Sequence, residues 1–187
     1  MKKKRILAMI LAVASCLSLA VSASAANTVA RKATDFRDFD KSAWYAEAVS
    51  AAVDNGLLYG KSTTVIDPNG DMTRAEMAAI INRSFGCYKT ADISQYKDVS
   101  KSKWYYKDVA LAVQMGTYNG RSSSSMAPDS PITRQEAMTV VARALELDYD
   151  SYSKTDLSAF SDRSEISNWA LPYVRAMVGA DSVSYTH

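Results

Sequence analysis

Residues 36–86 recur as residues 96–146, displaced by 60 positions without a gap. The first copy runs Phe36-Arg37-Asp38, Lys41-Ser42, Trp44-Tyr45, Val49, Ala52, Val53, Gly56, Gly60 and Pro68, and closes with Met72-Thr73-Arg74-Ala75-Glu76. The second runs Tyr96-Lys97-Asp98, Lys101-Ser102, Trp104-Tyr105, Val109, Ala112, Val113, Gly116, Gly120 and Pro128, and closes with Ile132-Thr133-Arg134-Gln135-Glu136. A third copy opens at Phe160-Ser161-Asp162 and reaches Trp169. A repeat of this length makes each copy one supersecondary unit that buries its apolar face against its neighbours. A site built by one copy is then expected again in the next.

The first 25 residues read as a leader and not as fold. Met1-Lys2-Lys3-Lys4-Arg5 is basic, an apolar run follows to about Ala20, and Ala23-Ser24-Ala25 is a small-x-small cleavage site. A lipoprotein signal at Val13-Ala14-Ser15-Cys16 ranks second, because the chain stays apolar after the cysteine. The whole chain has 22 Lys+Arg and 20 Asp+Glu; without the leader's four basic residues the balance becomes 18 against 20. The basic excess belongs to the leader, so nucleic acid is not an expected partner, nor is membrane insertion after cleavage. Cys87 is then the lone cysteine, no intrachain disulfide is available, and the domain must hold together by packing.

Residues 26–35 read as a linker. Trp44, Tyr45, Ala48, Val49, Ala52 and Val53 share one face of a predicted helix from Trp44 to about Asn55, with Gly56 as its cap. Trp104, Tyr105, Val109, Ala112, Val113 and Gly116 repeat it. From Leu57 to Met72 turn residues dominate, and residues 63–66 read as a short extended piece. Thr73-Arg74-Ala75-Glu76 has the form of a capping box, with Thr73 and Glu76 as structural caps. Met77, Ile80, Ile81, Ser84 and Phe85 are the expected buried stripe of the helix behind it. In the second copy Thr133 and Glu136 take the capping roles, with Met138, Val140, Val141, Ala144 and Leu145 behind them.

Nothing points to an enzyme, a cofactor or a metal. The one histidine is His187, and no nucleophile elbow, P-loop, zinc spacing or dinucleotide fingerprint is present. Asp67-Pro68-Asn69-Gly70-Asp71 resembles the start of a calcium loop but has Met72 and Ala78 where the turning glycine and bidentate glutamate are needed. Arg74 and Arg134 each open a capped helix, where free amides favour an anion and a guanidinium adds a planar fork for a carboxylate. The competing reading is an exposed arginine covering apolar surface. Trp44, Trp104 and Trp169 are expected to plug the core with most of the ring, leaving an edge for a sugar face. Asp38 and Asp98 are either glycan contacts or loop caps; loop capping is favoured for Asp162.

Aromatic-x-Asp, Trp-Tyr, Gly-x-x-x-Gly, Pro and Ile/Met-Thr-Arg-x-Glu together resemble the S-layer homology domain, over nearly all of the chain after the leader. Gln135 departs from the alanine usual in its motif. The resemblance implies an all-α, pseudo-threefold bundle of helix-loop-helix repeats with grooves between them. It implies non-covalent anchoring of a secreted protein to the bacterial cell wall or S-layer, by binding secondary cell-wall polysaccharide, often pyruvylated. The motif arginines Arg74 and Arg134 would meet the pyruvate carboxylate; Trp44, Trp104, Asp38 and Asp98 complete the expected glycan contacts. A protein–protein scaffold and a non-functional fragment of a larger surface protein are the alternatives.

The expected organisation is a signal peptide at 1–25, a linker at 26–35, repeats at 36–86 and 96–146, and a truncated repeat at 160–187. Closure of the threefold body and a third site are therefore in doubt. Trp169, Tyr173, Val174, Met177 and Val178 are expected to be left partly uncovered and to promote self-association. Arg74→Ala and Arg134→Ala are each expected to weaken glycan binding and leave the melting temperature nearly unchanged.

Overall fold

The computed structural model describes residues 31–180. The leader, the cleavage site and the tail from Asp181 lie outside the described residues. Helices are the only extended elements among the described residues, and the chain is all-α. In chain order they are α1 (Ala46–Asp54), α2 (Arg74–Phe85), α3 (Tyr106–Gln114), α4 (Arg134–Ala144) and α5 (Leu171–Gly179). Short 3₁₀ turns occupy Ala33–Asp35 and Arg163–Glu165. The chain divides into two compact units at Gly70.

The first unit packs Ala33, Phe36, Val53 and Ile66 into a small core, flanked by Phe39, Val49 and Leu58. Ala33 lies in the stretch read as a linker, yet it is buried. Its counterpart Ile93 is buried too, and Leu157 stands at the same place before Phe160. In all three copies the aromatic amide donates to the carbonyl three residues back: Phe36 to Ala33 at 3.2 Å, Tyr96 to Ile93 at 3.0 Å and Phe160 to Leu157 at 3.0 Å. Each repeat thus starts earlier than the aromatic-x-Asp signature.

The second unit contains α2 to α5. α2 and α3 pack together, as do α4 and α5, and α2 also meets α4. Ala75, Ala78, Ile81, Ile93, Tyr105, Val109, Ala112, Tyr118, Met126 and Val140 form the main core. Buried Asn82 of α2 donates to the Asp108 carbonyl of α3 at 2.8 Å, which fixes that pair. Leu157, Ala170, Val174 and Val178 form a smaller core under Met138, Phe160, Ile166 and Leu171.

Five expectations are corrected here. Helices α1 and α3 begin two residues late, with Tyr45 and Tyr105 as N-caps. Each tryptophan precedes its helix and falls outside its register: Trp44 is 84% exposed, Trp104 59% and Trp169 52%. Tyr105 is the plug instead, fully buried and edge-on to Trp104 at 5.4 Å. The buried stripe of α2 is Ala75, Ala78, Ala79, Ile81 and Asn82, while Phe85 is exposed. That of α4 is Thr139, Val140, Ala142 and Ala144, while Leu145 is exposed. Small residues face inward because α2 must approach both α3 and α4. Residues 63–64 bend and 65–66 are irregular, so no extended piece forms, with Lys61 donating to the Val65 carbonyl at 2.8 Å. Val174, Met177 and Val178 are buried, because α5 turns its apolar face onto α4.

Gly60 has φ +82°, and a Cβ there would lie 2.5 Å from the Phe36 ring and 2.7 Å from the Val65 carbonyl oxygen. Only glycine lets the loop close over the aromatic of its own repeat.

Candidate functional site: the cleft at the start of α2

Each repeat first builds a loop, and the aspartate of aromatic-x-Asp holds it. Asp38 accepts from the Ile66 amide at 3.0 Å and the Asp67 amide at 2.7 Å. Asp98 accepts from Met126 at 2.9 Å, Ala127 at 2.7 Å and the Ser125 hydroxyl at 2.7 Å. The held residues Asp67 and Ala127 sit at φ 54° and 53°, a left-handed conformation that side-chain-bearing residues rarely adopt. Two carboxylate–amide bonds per loop supply the compensation. The Ile66 amide holds the Asp38 carboxyl below its ordinary range. Burial pushes the other way at Asp98, but the Met126 amide and Ser125 hydroxyl outweigh it. Both aspartates therefore serve their own loops and line neither cavity described below.

The second loop is seated on the start of α2. The Arg74 and Ala75 amides donate to the Ser130 carbonyl at 3.0 Å and the Pro128 carbonyl at 2.9 Å. Ile132 returns a bond to Met72 at 2.9 Å, and Thr73 pairs with Pro131 in an isolated antiparallel bridge. The Glu76 amide donates to the Thr73 hydroxyl at 3.2 Å, and the Thr73 amide to Glu76 at 2.8 Å. The first three amides of α2 are all spent. The expectation of free amides for an anion is corrected at this helix.

Arg74 is itself buried. Its Nε donates to the Met126 carbonyl at 3.0 Å and its Nη2 to the Asn119 carbonyl at 3.4 Å. Nη1 meets Glu136 Oε1 at 3.0 Å, with side chains only 6% and 13% exposed. The Tyr118 ring lies under the guanidinium at 5.2 Å, and its hydroxyl donates to the Arg74 carbonyl at 2.9 Å. Burial drives the Tyr118 hydroxyl far above its ordinary range. The arginine of the first motif is thus paired with the glutamate of the second. That glutamate also caps α4 through the Thr133 amide at 2.9 Å, while the Glu136 amide donates to the Thr133 hydroxyl at 3.3 Å. Burial would raise Glu136, but the Thr133 amide, Arg74 and Arg121 together hold it below its ordinary range.

Above this pair opens a cleft of about 470 Å³. Arg74, Glu136 and Tyr118 lie in its lining, together with Arg121, Arg143 and Trp169. Arg121, 43% exposed, bonds Glu136 at 3.3 Å. Arg143 lies 4.8 Å over the Tyr173 ring and donates to its hydroxyl at 3.3 Å. Three arginines and one carboxylate line the cleft, beside a half-exposed indole. Arg121 and Arg143 were not singled out from sequence; the first sits in a loop and the second in the last turn of α4. Their only signal was a basic residue near each repeat's turn or helix end.

Arg134 is placed differently. It is exposed and lines a separate cavity of about 200 Å³ with Gln135, Met138, Phe160, Asp162, Glu165, Ile166 and Val174. Gln135 accepts from the Ser167 amide at 2.9 Å, tying α4 to the third copy. The structure does not bring Arg74 and Arg134 into one site, and Trp44 and Trp104 line neither cavity.

Residues 35–78 and 95–138 match the S-layer homology domain. The chain is 34% identical over 166 residues to a Surface-layer 125 kDa protein of Lysinibacillus sphaericus, covering 88% of this chain and 14% of that protein. It is 27% identical over 170 residues to an Endoglucanase of Bacillus sp. (strain KSM-635), covering 89% of this chain and 18% of that protein. An S-layer protein of Bacillus thuringiensis subsp. finitimus is 23% identical over 84% of this chain and 19% of its own length. The chain spans less than a fifth of each of these relatives, so what the enzyme among them catalyses resides in a protein far longer than the shared segment. Among the described residues no helix is long and apolar enough to cross a membrane. The chain belongs to the S-layer homology family, whose repeats anchor proteins at the bacterial cell surface, and it is a secreted protein of the cell wall or cell surface.

Proposed function

We propose that this chain anchors to the cell wall by binding secondary cell-wall polysaccharide, with the carboxylate of an acidic, pyruvylated sugar held in the cleft above Arg74. The observation that carries this reading is the grouping of Arg74, Arg121 and Arg143 against the single carboxylate of Glu136, next to Trp169. Glu136 neutralises the buried Arg74, and the rim arginines retain charge for a ligand. A planar fork suits a carboxylate, and the exposed indole suits the apolar face of a sugar ring. Arg74 acts at the floor of the cleft, setting the position of the loop that carries Arg121.

Retention on purified walls, before and after chemical removal of the polysaccharide, tests this. Arg121→Ala and Arg143→Ala should each weaken retention tenfold or more, since a charge-assisted hydrogen bond is worth about 1.5–3 kcal/mol. Lysine at either position should restore only part of it. Undiminished retention after removal of the polysaccharide would instead support a protein partner.

A further inference from the structure

The two complete repeats contain a corresponding loop each, and among the described residues one of the two is seated on a helix start. The loops share their framing bonds. Arg37 donates to Thr64 at 3.0 Å as Lys97 does to Ser124 at 2.9 Å, and Gly70 donates to Asp67 at 3.1 Å as Ser130 does to Ala127 at 3.2 Å. Each hangs from its aspartate and carries one left-handed residue at the same place. In the second loop the Pro128 and Ser130 carbonyls accept the first two amides of α2, and Pro128 is buried. In the first loop the corresponding carbonyls, Pro68 and Gly70, accept no hydrogen bond among the described residues; Pro68 is half-buried and Gly70 exposed.

The start of α4 shows the complementary vacancy. Its Arg134 and Gln135 amides, which correspond to Arg74 and Ala75, donate to nothing among the described residues. Arg134 is exposed over the cavity lined by Met138, Phe160, Ile166 and Val174, whereas Arg74 is buried under a loop. Among the described residues, one helix start with open donors, a repeat later than α2, and one loop with open acceptors, a repeat earlier than the seated loop, are thus the second copies of the two halves of a formed pair.

We propose that the start of α4 is a seat for residues 58–70 of a second copy of this chain, producing head-to-tail association. The Arg134 and Gln135 amides would take the Gly70 and Pro68 carbonyls of the second copy, and Arg134 Nε its Ile66 carbonyl, as Arg74 Nε takes Met126. Gln135 is no obstacle in principle, because its side chain is drawn aside to Ser167. Leu58 stands where Tyr118 stands, so the hydroxyl bond to the arginine carbonyl is absent and the seat is weaker than its internal counterpart. Seat and loop are different patches, so the contact is heterologous and propagates into a ring or an open chain. This association does not depend on what occupies the arginine cleft.

Sedimentation of the full chain and two variants tests it. Arg134→Pro removes the seat's first amide and its guanidinium at the first helical position, where proline is favoured. Thr133, at φ −78° and ψ 159°, already has the extended conformation required before proline. Pro68→Arg places a charged side chain on the loop at the point that is buried in its seated twin. The natural chain should gain mass with concentration, and each variant alone should stay monomeric where the natural chain is at least dimeric. An equimolar mixture, with one good seat and one good loop, should give a dimer of twice the monomer mass and nothing larger. A natural chain that is monomeric at every soluble concentration, a variant that associates like it, or a mixture that forms no dimer would overturn the proposal. If α4 does not form in Arg134→Pro by circular dichroism, Pro68→Arg alone decides between association and its loss.

Discussion

The starts of α2 and α4 carry nearly the same words, Thr-Arg-Ala-Glu and Thr-Arg-Gln-Glu, with the same reciprocal capping box. Around α2 the arginine is buried, paired with a glutamate from the next repeat, and roofed by a loop. Around α4 the arginine is exposed and its backbone amide donates to nothing among the described residues. The difference comes from what lies against the helix and not from the helix. In a repeat protein a motif's intrinsic chemistry is copied with it, while its role is set by the neighbour. The capping residues behave alike in both copies because their partners lie within four residues. The arginines differ because the partners of Arg74 lie 45 to 62 residues away in sequence.

The largest expected effect is at Arg74. Arg74→Ala strands Glu136 in a mostly buried site and leaves the Met126 and Asn119 carbonyls without their donor. Breaking a buried pair by removing one partner costs about 3–5 kcal/mol. A thermal or denaturant melt of this variant should show that loss, so a fall in wall binding would partly report folding. Arg74→Ala with a natural melting profile would erase the distinction between the two starts.

The same pair gives stability an acid limb. Glu136 is held below its ordinary 4.5 in the folded chain. Its contribution is therefore present above that value and is lost as pH falls through the lower folded value. Unfolding followed from neutral pH down through about 4.5 should become easier more steeply for the natural chain than for Glu136→Gln. Parallel curves would mean that Glu136 is no better placed in the fold than in solution.

Thr73→Ala and Thr133→Ala should each cost about 0.5–2 kcal/mol, the value of a lost side-chain cap. Equal losses would sharpen the contrast by showing that the caps are shared while the arginines are not. Smallest of all, Arg134→Ala should shift stability by no more than about 0.5 kcal/mol, as for exposed positions without partners. A loss there as large as at Arg74 would place Arg134 in the same kind of seat.

Much of this was legible in the residues. The 60-residue displacement and the capping boxes follow from patterns in the residues themselves, the caps because their partners are three positions apart, and the all-α class came with the family resemblance. The inward face of α2 was misread because Ala75, Ala78 and Asn82 carry little apolar signal; their burial follows from close approach to α3 and α4. Tyr105 and Trp104 could not be ranked by period, since the helix begins after both. The pairing of Arg74 with Glu136, and the convergence of Arg121, Arg143 and Trp169, depend on how a loop from one repeat lies over a helix from another. No local pattern records that.

Amide hydrogen exchange resolved by residue, at a dilution where the chain is monomeric, tests the contrast between the two helix starts without any substitution. The Arg74 and Ala75 amides, bonded to Ser130 and Pro128, should be protected to nearly the level of the α2 core, because opening them requires unseating the loop. The Arg134 and Gln135 amides should exchange at rates close to those of an unstructured chain, although the helix behind them is formed. Equal protection at the two starts, or fast exchange at Arg74 and Ala75, would contradict the assignment of one closed and one open seat.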